Sequence, residues 1–146
     1  MTTIVYDHKN KQIAVDSRTT SGGTVMNDSS IKYKEKDGLM WFFCGKVGES
    51  DAFIGSFKEL TPSLEFIDVT AFFVDDKNVY LATADNGVYR SCLVDFNNSL
   101  GSGCEFALSA VDLGKTAKGA VEYAMTRDIY TGGKVHVYDI EKGKFI

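Results

Sequence analysis

The chain opens Met1-Thr2-Thr3-Ile4-Val5, and removal of Met1 exposes a threonine that carries both a hydroxyl nucleophile and a free α-amine. A hydroxyl attacks only when a neighbouring base takes its proton, and the amine of an N-terminal threonine can serve its own hydroxyl in that way. An unperturbed α-amine titrates near ~8, against ~10.4 for a lysine, so it needs little tuning to act as a base near neutrality. While Met1 is attached, the Thr2 nitrogen is an amide, and the free amine sits one Cα step of about 3.8 Å further out. Many proteins begin Met-Thr, so the remainder of the chain has to support the chemistry.

The other reactive residue types point elsewhere. Cys44, Cys92 and Cys104 are three widely spaced cysteines without a CxxC pair, which indicates neither a disulfide framework nor a zinc ribbon. His8 and His136 are the only histidines and lie in separate strand or hairpin contexts, so a multi-histidine metal site is set aside and no cofactor is called for. Trp41, Phe42 and Phe43 read as core, not as a ligand platform. Cys44 reads as a small buried hydrophobe.

With 146 residues, 44% of them hydrophobic and 25% charged, the chain fits one compact domain over residues 1–146. The formal net charge of -4, without a block of Lys and Arg, argues against a nucleic-acid surface and an anionic membrane patch. The start has neither the basic residues nor the apolar run of a signal peptide. No stretch approaches the ~18 apolar residues of a spanning helix, and the expected location is cytoplasmic.

Strand-like runs at Thr3–Tyr6 and Gln12–Asp16 flank the polar His8–Lys11 and predict an opening β-hairpin. Ser21-Gly22-Gly23 predicts a turn, Thr24–Met26 a short strand, and Asn27–Ser30 a second turn before Ile31–Lys34. Leu39–Cys44 is apolar at successive positions, as in a strand buried on both faces. Phe53, Phe57 and Leu60 fall at helical spacing and predict a short helix ending before Pro62. Phe66–Val74, Val79–Thr83 and Val88–Val94 read as strands, the last two joined at Asn86-Gly87, a type I′ hairpin signal. The period then turns helical over Glu105–Val111 and from Ala117 through Ala124, with Thr116 as N-cap. Gly132-Gly133 and the alternating Lys134–Ile140 close the order with a strand.

Four segments resemble the proteasome β-subunit and HslV branch of the N-terminal nucleophile hydrolases. Thr2-Thr3-Ile4-Val5 resembles the mature start of those subunits. Val15-Asp16-Ser17-Arg18, running on to Ser21-Gly22-Gly23-Thr24-Val25-Met26, is similar to the family's D-[SG]-[RQ]-x-[ST]-x-G-x-x-V segment. Gly101-Ser102-Gly103 before a helix is similar to its GSG loop, and Arg127-Asp128-Ile129-Tyr130-Thr131-Gly132-Gly133-Lys134-Val135 to its RDxx[ST]GGxV ending. Each is weak alone, whereas their order and placement together are specific. The match covers roughly residues 2 to 35 and 100 to 140. Between them the chain departs from the family, with one short helix where a helical hairpin is expected.

The resemblance implies an α+β fold: a four-layer αββα sandwich of two stacked antiparallel sheets, with reduced helices in the middle of the chain. It implies that Thr2 is the nucleophile and that Asp16 holds a catalytic lysine. Lys32 is favoured for that lysine and Lys34 is the alternative. An ammonium beside the threonine lowers the hydroxyl pKa and disfavours protonation of the amine. Ser102, Asp128 and Thr131 map to the group that hydrogen-bonds around the terminal amine. The oxyanion donor maps to the loop Cys44–Gly48, with Gly45 favoured and Gly48 the alternative.

The function implied is a threonine peptidase acting on polypeptide through an acyl-enzyme. A small-amide amidohydrolase and a non-catalytic assembly or binding subunit are the alternatives, since one fold supports several chemistries. By the same resemblance the chain is expected to form a homo-oligomer, as a ring or partial ring. It has no ATP-binding loop of its own, so energy-dependent unfolding would fall to a separate ATP-dependent unfoldase.

Overall fold

The computed structural model describes residues 1–45, 49–59, 69–85 and 88–146. The chain divides into two compact units, Met1–Lys32 with Asp95–Ile146, and Tyr33–Val94.

In the first unit, β1 (Thr3–Asp7), β2 (Gln12–Val15), β10 (Asn98–Gly101), β11 (His136–Asp139) and β12 (Lys144–Phe145) form one sheet in the order β10-β1-β2-β11-β12. Every pairing in it is antiparallel. Thr3 lies opposite Gly101 on one side, and Ile4 opposite Val15 on the other. His136 pairs with Val15 from the far side of β2. The start of β1, the ends of β2 and β10 and the start of β11 therefore meet at one end of the sheet. β3 (Thr19–Ser21) and β4 (Thr24–Asn27) form a separate two-stranded hairpin.

Two helices cover one face of this sheet: α2 (Cys104–Asp112) and α3 (Ala117–Met125). Val5, Ala14 and Val137, neighbours across three strands, pack with Ala107, Ala110 and Val111 of α2 and with Ala117, Ala120, Val121 and Ala124 of α3. The contact is rich in alanine, so the helix backbones approach the sheet closely, while Val111 and Val121 each contribute roughly 1.5–3 kcal/mol of burial. Thr116 is the N-cap of α3, its hydroxyl accepting from the Gly119 amide at 3.0 Å. That cap fixes where α3 begins. At its other end the Asp128 amide closes onto Ala124 O at 2.8 Å, leading the chain into the Asp128–Gly133 turn.

The second unit is a five-stranded antiparallel meander, β5 (Tyr33–Lys36), β6 (Leu39–Gly45), β7 (Val69–Asp75), β8 (Asn78–Asp85) and β9 (Val88–Val94), accompanied by helix α1 (Ser50–Glu59). Trp41 pairs with Phe73, and with Phe53 and Ile54 of α1 they form the core of this unit. The Trp41 and Phe73 rings lie 4.8 Å apart. Trp41 and Phe42 are both buried although they point to opposite faces, as an apolar run without alternation predicts. Cys44 is half-buried and donates to Thr70 O.

The class is α+β, each unit supplying an antiparallel sheet with its helices. β3, β10 and β12 are additions to the expected strands, since Thr19-Thr20-Ser21 and Asn98-Ser99-Leu100-Gly101 lack the apolar alternation of a strand and β12 spans two residues. The last long strand starts at His136, two residues later than the alternation suggests. Leu60, Pro62, residues 66–68 of the expected strand, and Asn86-Gly87 lie outside the described residues, although Asp85 pairs with Val88 across that last connection. Among the described residues no helix is long and apolar enough to cross a membrane.

Candidate active site

Polar residues are buried at the sheet end where β1 begins: Thr2, Thr3, Asp16, Ser17, Lys32, Asp128 and Thr131. Burying a polar group is costly unless its hydrogen bonds are met, and the side chains of Asp16 and Asp128 each gather such bonds into a group.

Asp16 forms the first group. It follows β2, its amide held by Thr3 O at 3.2 Å, and it is fully buried. Its Oδ1 accepts from Lys32 Nζ at 2.8 Å and from the Thr3 amide at 3.1 Å. Its Oδ2 accepts from the Gly132 amide at 3.0 Å and the Arg18 amide at 3.4 Å. The carboxylate thus ties three chain segments together. Lys32 Nζ also donates to the Met1 carbonyl at 3.1 Å, so the ammonium stands against the peptide group that joins Met1 to Thr2.

Asp128 forms the second group. Its Oδ2 accepts from Ser102 Oγ at 2.5 Å and from Thr131 Oγ1 at 2.6 Å, and its Oδ1 from the Tyr130 amide at 3.2 Å. Burial pushes this carboxyl upward. The bonds from Ser102, Thr131 and the Tyr130 amide, with the terminal ammonium of Met1, outweigh burial and hold it below the ordinary aspartate range. Ser102 Oγ lies 3.5 Å from the Thr2 carbonyl oxygen. The second group therefore touches the carbonyl of Thr2 itself, and the first touches the carbonyl just before it.

The structure brings Thr2, Asp16, Lys32, Ser102, Asp128 and Thr131 together within the first unit. It separates the two candidate lysines: Lys34 is half-exposed and paired with exposed Asp51 at 2.8 Å. Gly45 ends β6 in the second unit with φ 119°, and Gly48 lies outside the described residues.

The Gly-Ser-Gly loop has a steric basis. Gly101 has φ 96°, and a Cβ there would run into the Thr2 carbonyl. A Cβ on Gly103 would collide with Thr3 Oγ1 and reach 3.0 Å from Thr131 Oγ1. Only glycines let β10 and the start of α2 close over the first residues of the chain.

Three residues of the site carry no role assigned from sequence. Thr3 Oγ1 shares a 2.6 Å hydrogen bond with Thr131 Oγ1. Ser17 Oγ donates to the carbonyls of Asp28 and Lys134. The Arg18 guanidinium grips both oxygens of Asp28, at 2.8 and 3.0 Å, and donates to Ile129 O at 3.0 Å. Their signal is their position: Ser17 and Arg18 sit inside the Asp16 motif, and Thr3 is a polar residue at the head of an otherwise apolar strand.

No family model matches the sequence, and no curated protein is significantly similar to it. Solved structures are similar over almost the whole chain. The crystal structure of eukaryotic HslV from Trypanosoma brucei aligns with a TM-score of 0.74 and 16% identity, covering 92% of this chain and 97% of that one. BPH of Thiobacillus denitrificans aligns at 0.69 and 14%, covering 94% and 95%. The same BPH in complex with epoxomicin aligns at 0.68 and 16%, covering 93% and 96%. At such identities the likeness is one of fold, and the chain has the fold of HslV and BPH, the N-terminal nucleophile hydrolase fold that its four motifs resemble.

Proposed function

We propose that the chain is a threonine-type peptidase in which Thr2, freed by removal of Met1, attacks peptide carbonyls. The observation that supports this reading is the convergence of two buried, hydrogen-bonded groups on the peptide units either side of the Thr2 α-carbon. Lys32 with Asp16 meets the Met1 carbonyl, and Ser102 with Asp128 and Thr131 meets the Thr2 carbonyl.

In this reading the freed amine takes the Thr2 hydroxyl proton as Oγ1 bonds to the substrate carbonyl carbon. Asp16 holds Lys32 charged and oriented, and the ammonium favours the deprotonated forms of hydroxyl and amine. Ser102, Asp128 and Thr131 orient the amine. The oxyanion needs a backbone N–H donor, whose loss typically costs ~3 kcal/mol of barrier. Collapse breaks the C–N bond, and the amine hands its proton to the leaving nitrogen. Water, deprotonated by the same amine, then cleaves the Thr2 ester and regenerates the hydroxyl.

The substrate class assigned is unfolded polypeptide. The assembly assigned is a homo-oligomeric ring or partial ring in the cytoplasm, fed by a separate ATP-dependent unfoldase.

A second reading draws on Met1. With that residue in place the Thr2 nitrogen is an amide, and Lys32 donates to the Met1 carbonyl. A protein that keeps Met1 is then a non-catalytic assembly or binding subunit with the same architecture.

Met1-free protein and its Thr2→Ala variant, assayed on unfolded polypeptide and on small amides, test the proposal. Expected is cleavage of polypeptide by the parent and none by a folded Thr2→Ala. Turnover of small amides alone moves the case to an amidohydrolase. Equal activity of parent and variant contradicts Thr2 as nucleophile.

A further inference from the structure

The bonds around Asp128 have a direction. Ser102 Oγ and Thr131 Oγ1 both donate to Asp128 Oδ2. A threonine hydroxyl carries one proton. Thr131 Oγ1 donates its one proton in the hydrogen bond to the Asp128 carboxylate, so in the 2.6 Å contact between Thr3 Oγ1 and Thr131 Oγ1 the donor is Thr3. The chain runs from Thr3 to Thr131 to Asp128, and Ser102 donates from the opposite side.

The main chain of the same residue serves the other group. The Thr3 amide donates to Asp16 Oδ1, the oxygen that also receives Lys32 Nζ, and Thr3 O accepts from the Asp16 amide. Thr3 is fully buried, its strand position is fixed by pairing with Gly101, and Gly103 closes against its hydroxyl.

We propose that Thr3 is a positioning residue that couples the two halves of the site, its amide setting Asp16 and Lys32 while its hydroxyl sets Thr131, Asp128 and Ser102. This inference rests on the peptidase reading and deepens it. Each half touches the main chain beside Thr2, and Thr3 is covalently next to Thr2, so one residue sets the nucleophile in register with both. The hydroxyl donated to Thr131 polarises that group and strengthens its own bond to Asp128. Without it Thr131 is free to turn, Asp128 loses a well-aligned donor, and Ser102 shifts with the carboxylate.

Thr3→Ala and Thr3→Ser separate this role from simple packing, since both lose the methyl and only serine keeps the donor. On Met1-free protein, the rate of covalent labelling of Thr2 by a peptide epoxyketone is expected to fall at least about tenfold in Thr3→Ala, the scale on which small misplacements cost rate. In Thr3→Ser it is expected to return to within about twofold of the parent. Equal rates in the alanine variant and the parent, or equal losses in both variants, overturn the proposal.

A second readout needs no activity. Carbon-detected NMR titration of the Asp128 carboxyl is expected to move upward in Thr3→Ala and to stay at the parent value in Thr3→Ser. Absence of labelling in the parent would sink the peptidase reading and the positioning role with it. The hydroxyl coupling is judged separately on the titration, where identical curves in all three proteins overturn it.

Discussion

Lys32 Nζ lies 2.8 Å from Asp16 Oδ1, in a pair whose side chains are 7% and 0% exposed. Removing one partner of a buried pair leaves a charge without its counterion, which costs more than the pair contributes. The two partners are not equally protected. Asp16 also accepts from the amides of Thr3, Gly132 and Arg18, and these bonds survive the loss of the lysine. Lys32→Met is therefore expected to lower stability by about 3 kcal/mol. Asp16→Asn leaves the ammonium its bond to the Met1 carbonyl but removes its counterion, and it turns an amide NH2 toward backbone donors, so about 5 kcal/mol is expected. Urea unfolding at neutral pH measures both, and losses under about 1 kcal/mol in each would contradict a desolvated pair.

Gly103→Ala probes the close approach of α2 to β1. The added methyl meets Thr3 Oγ1 and comes within 3.0 Å of Thr131 Oγ1, the two hydroxyls being tied to each other by a 2.6 Å hydrogen bond. A stability loss of about 1–3 kcal/mol is expected, the usual range for overpacking, together with slower Thr2 labelling in Met1-free protein. Thermal unfolding and labelling rates check the two effects, and a fully stable, fully reactive variant would place the helix start further from Thr3 than described.

The pH dependence of stability is set partly by His136. Burial, reinforced by the Lys134 charge, holds its imidazole below the ordinary value of 6.5. The unfolded chain then binds the proton more readily than the native one. The contribution is complete above pH 6.5 and is lost as the pH falls through the lowered native value. His136→Gln should flatten the fall in melting temperature just below that pH. Asp128 adds a second loss of the same sign at lower pH: its depressed carboxyl stabilises the fold above about pH 3.9, and less as it protonates. An unchanged profile in His136→Gln would show that the imidazole titrates alike in both states.

Much of the site is legible in the sequence because its residues sit in short motifs with local physical meaning. Thr116 caps α3, alanines at helical spacing bring α3 onto the sheet, and the chain turns at Asp128 where α3 ends. Counting from Met26 favours Lys32 over Lys34, and the structure buries the first against Asp16 and leaves the second half-exposed beside Asp51. Thr3 is not legible. Its hydrogen bonds reach residues 13 and 128 positions away, and no local pattern reports partners at that distance. Strand β10 escapes for a related reason: Asn98-Ser99-Leu100-Gly101 is a strand because β1 offers it a ladder, not because its own residues favour one.

In the proposed mechanism Thr2 acts only once Met1 is removed, and the most direct test is epoxyketone labelling of two preparations, one retaining Met1 and one lacking it by intact mass. An adduct that forms at Thr2 only in the Met1-free protein, and vanishes in Thr2→Ala, is the expected result. Met1-free protein that is folded but takes no adduct at Thr2 would contradict the account.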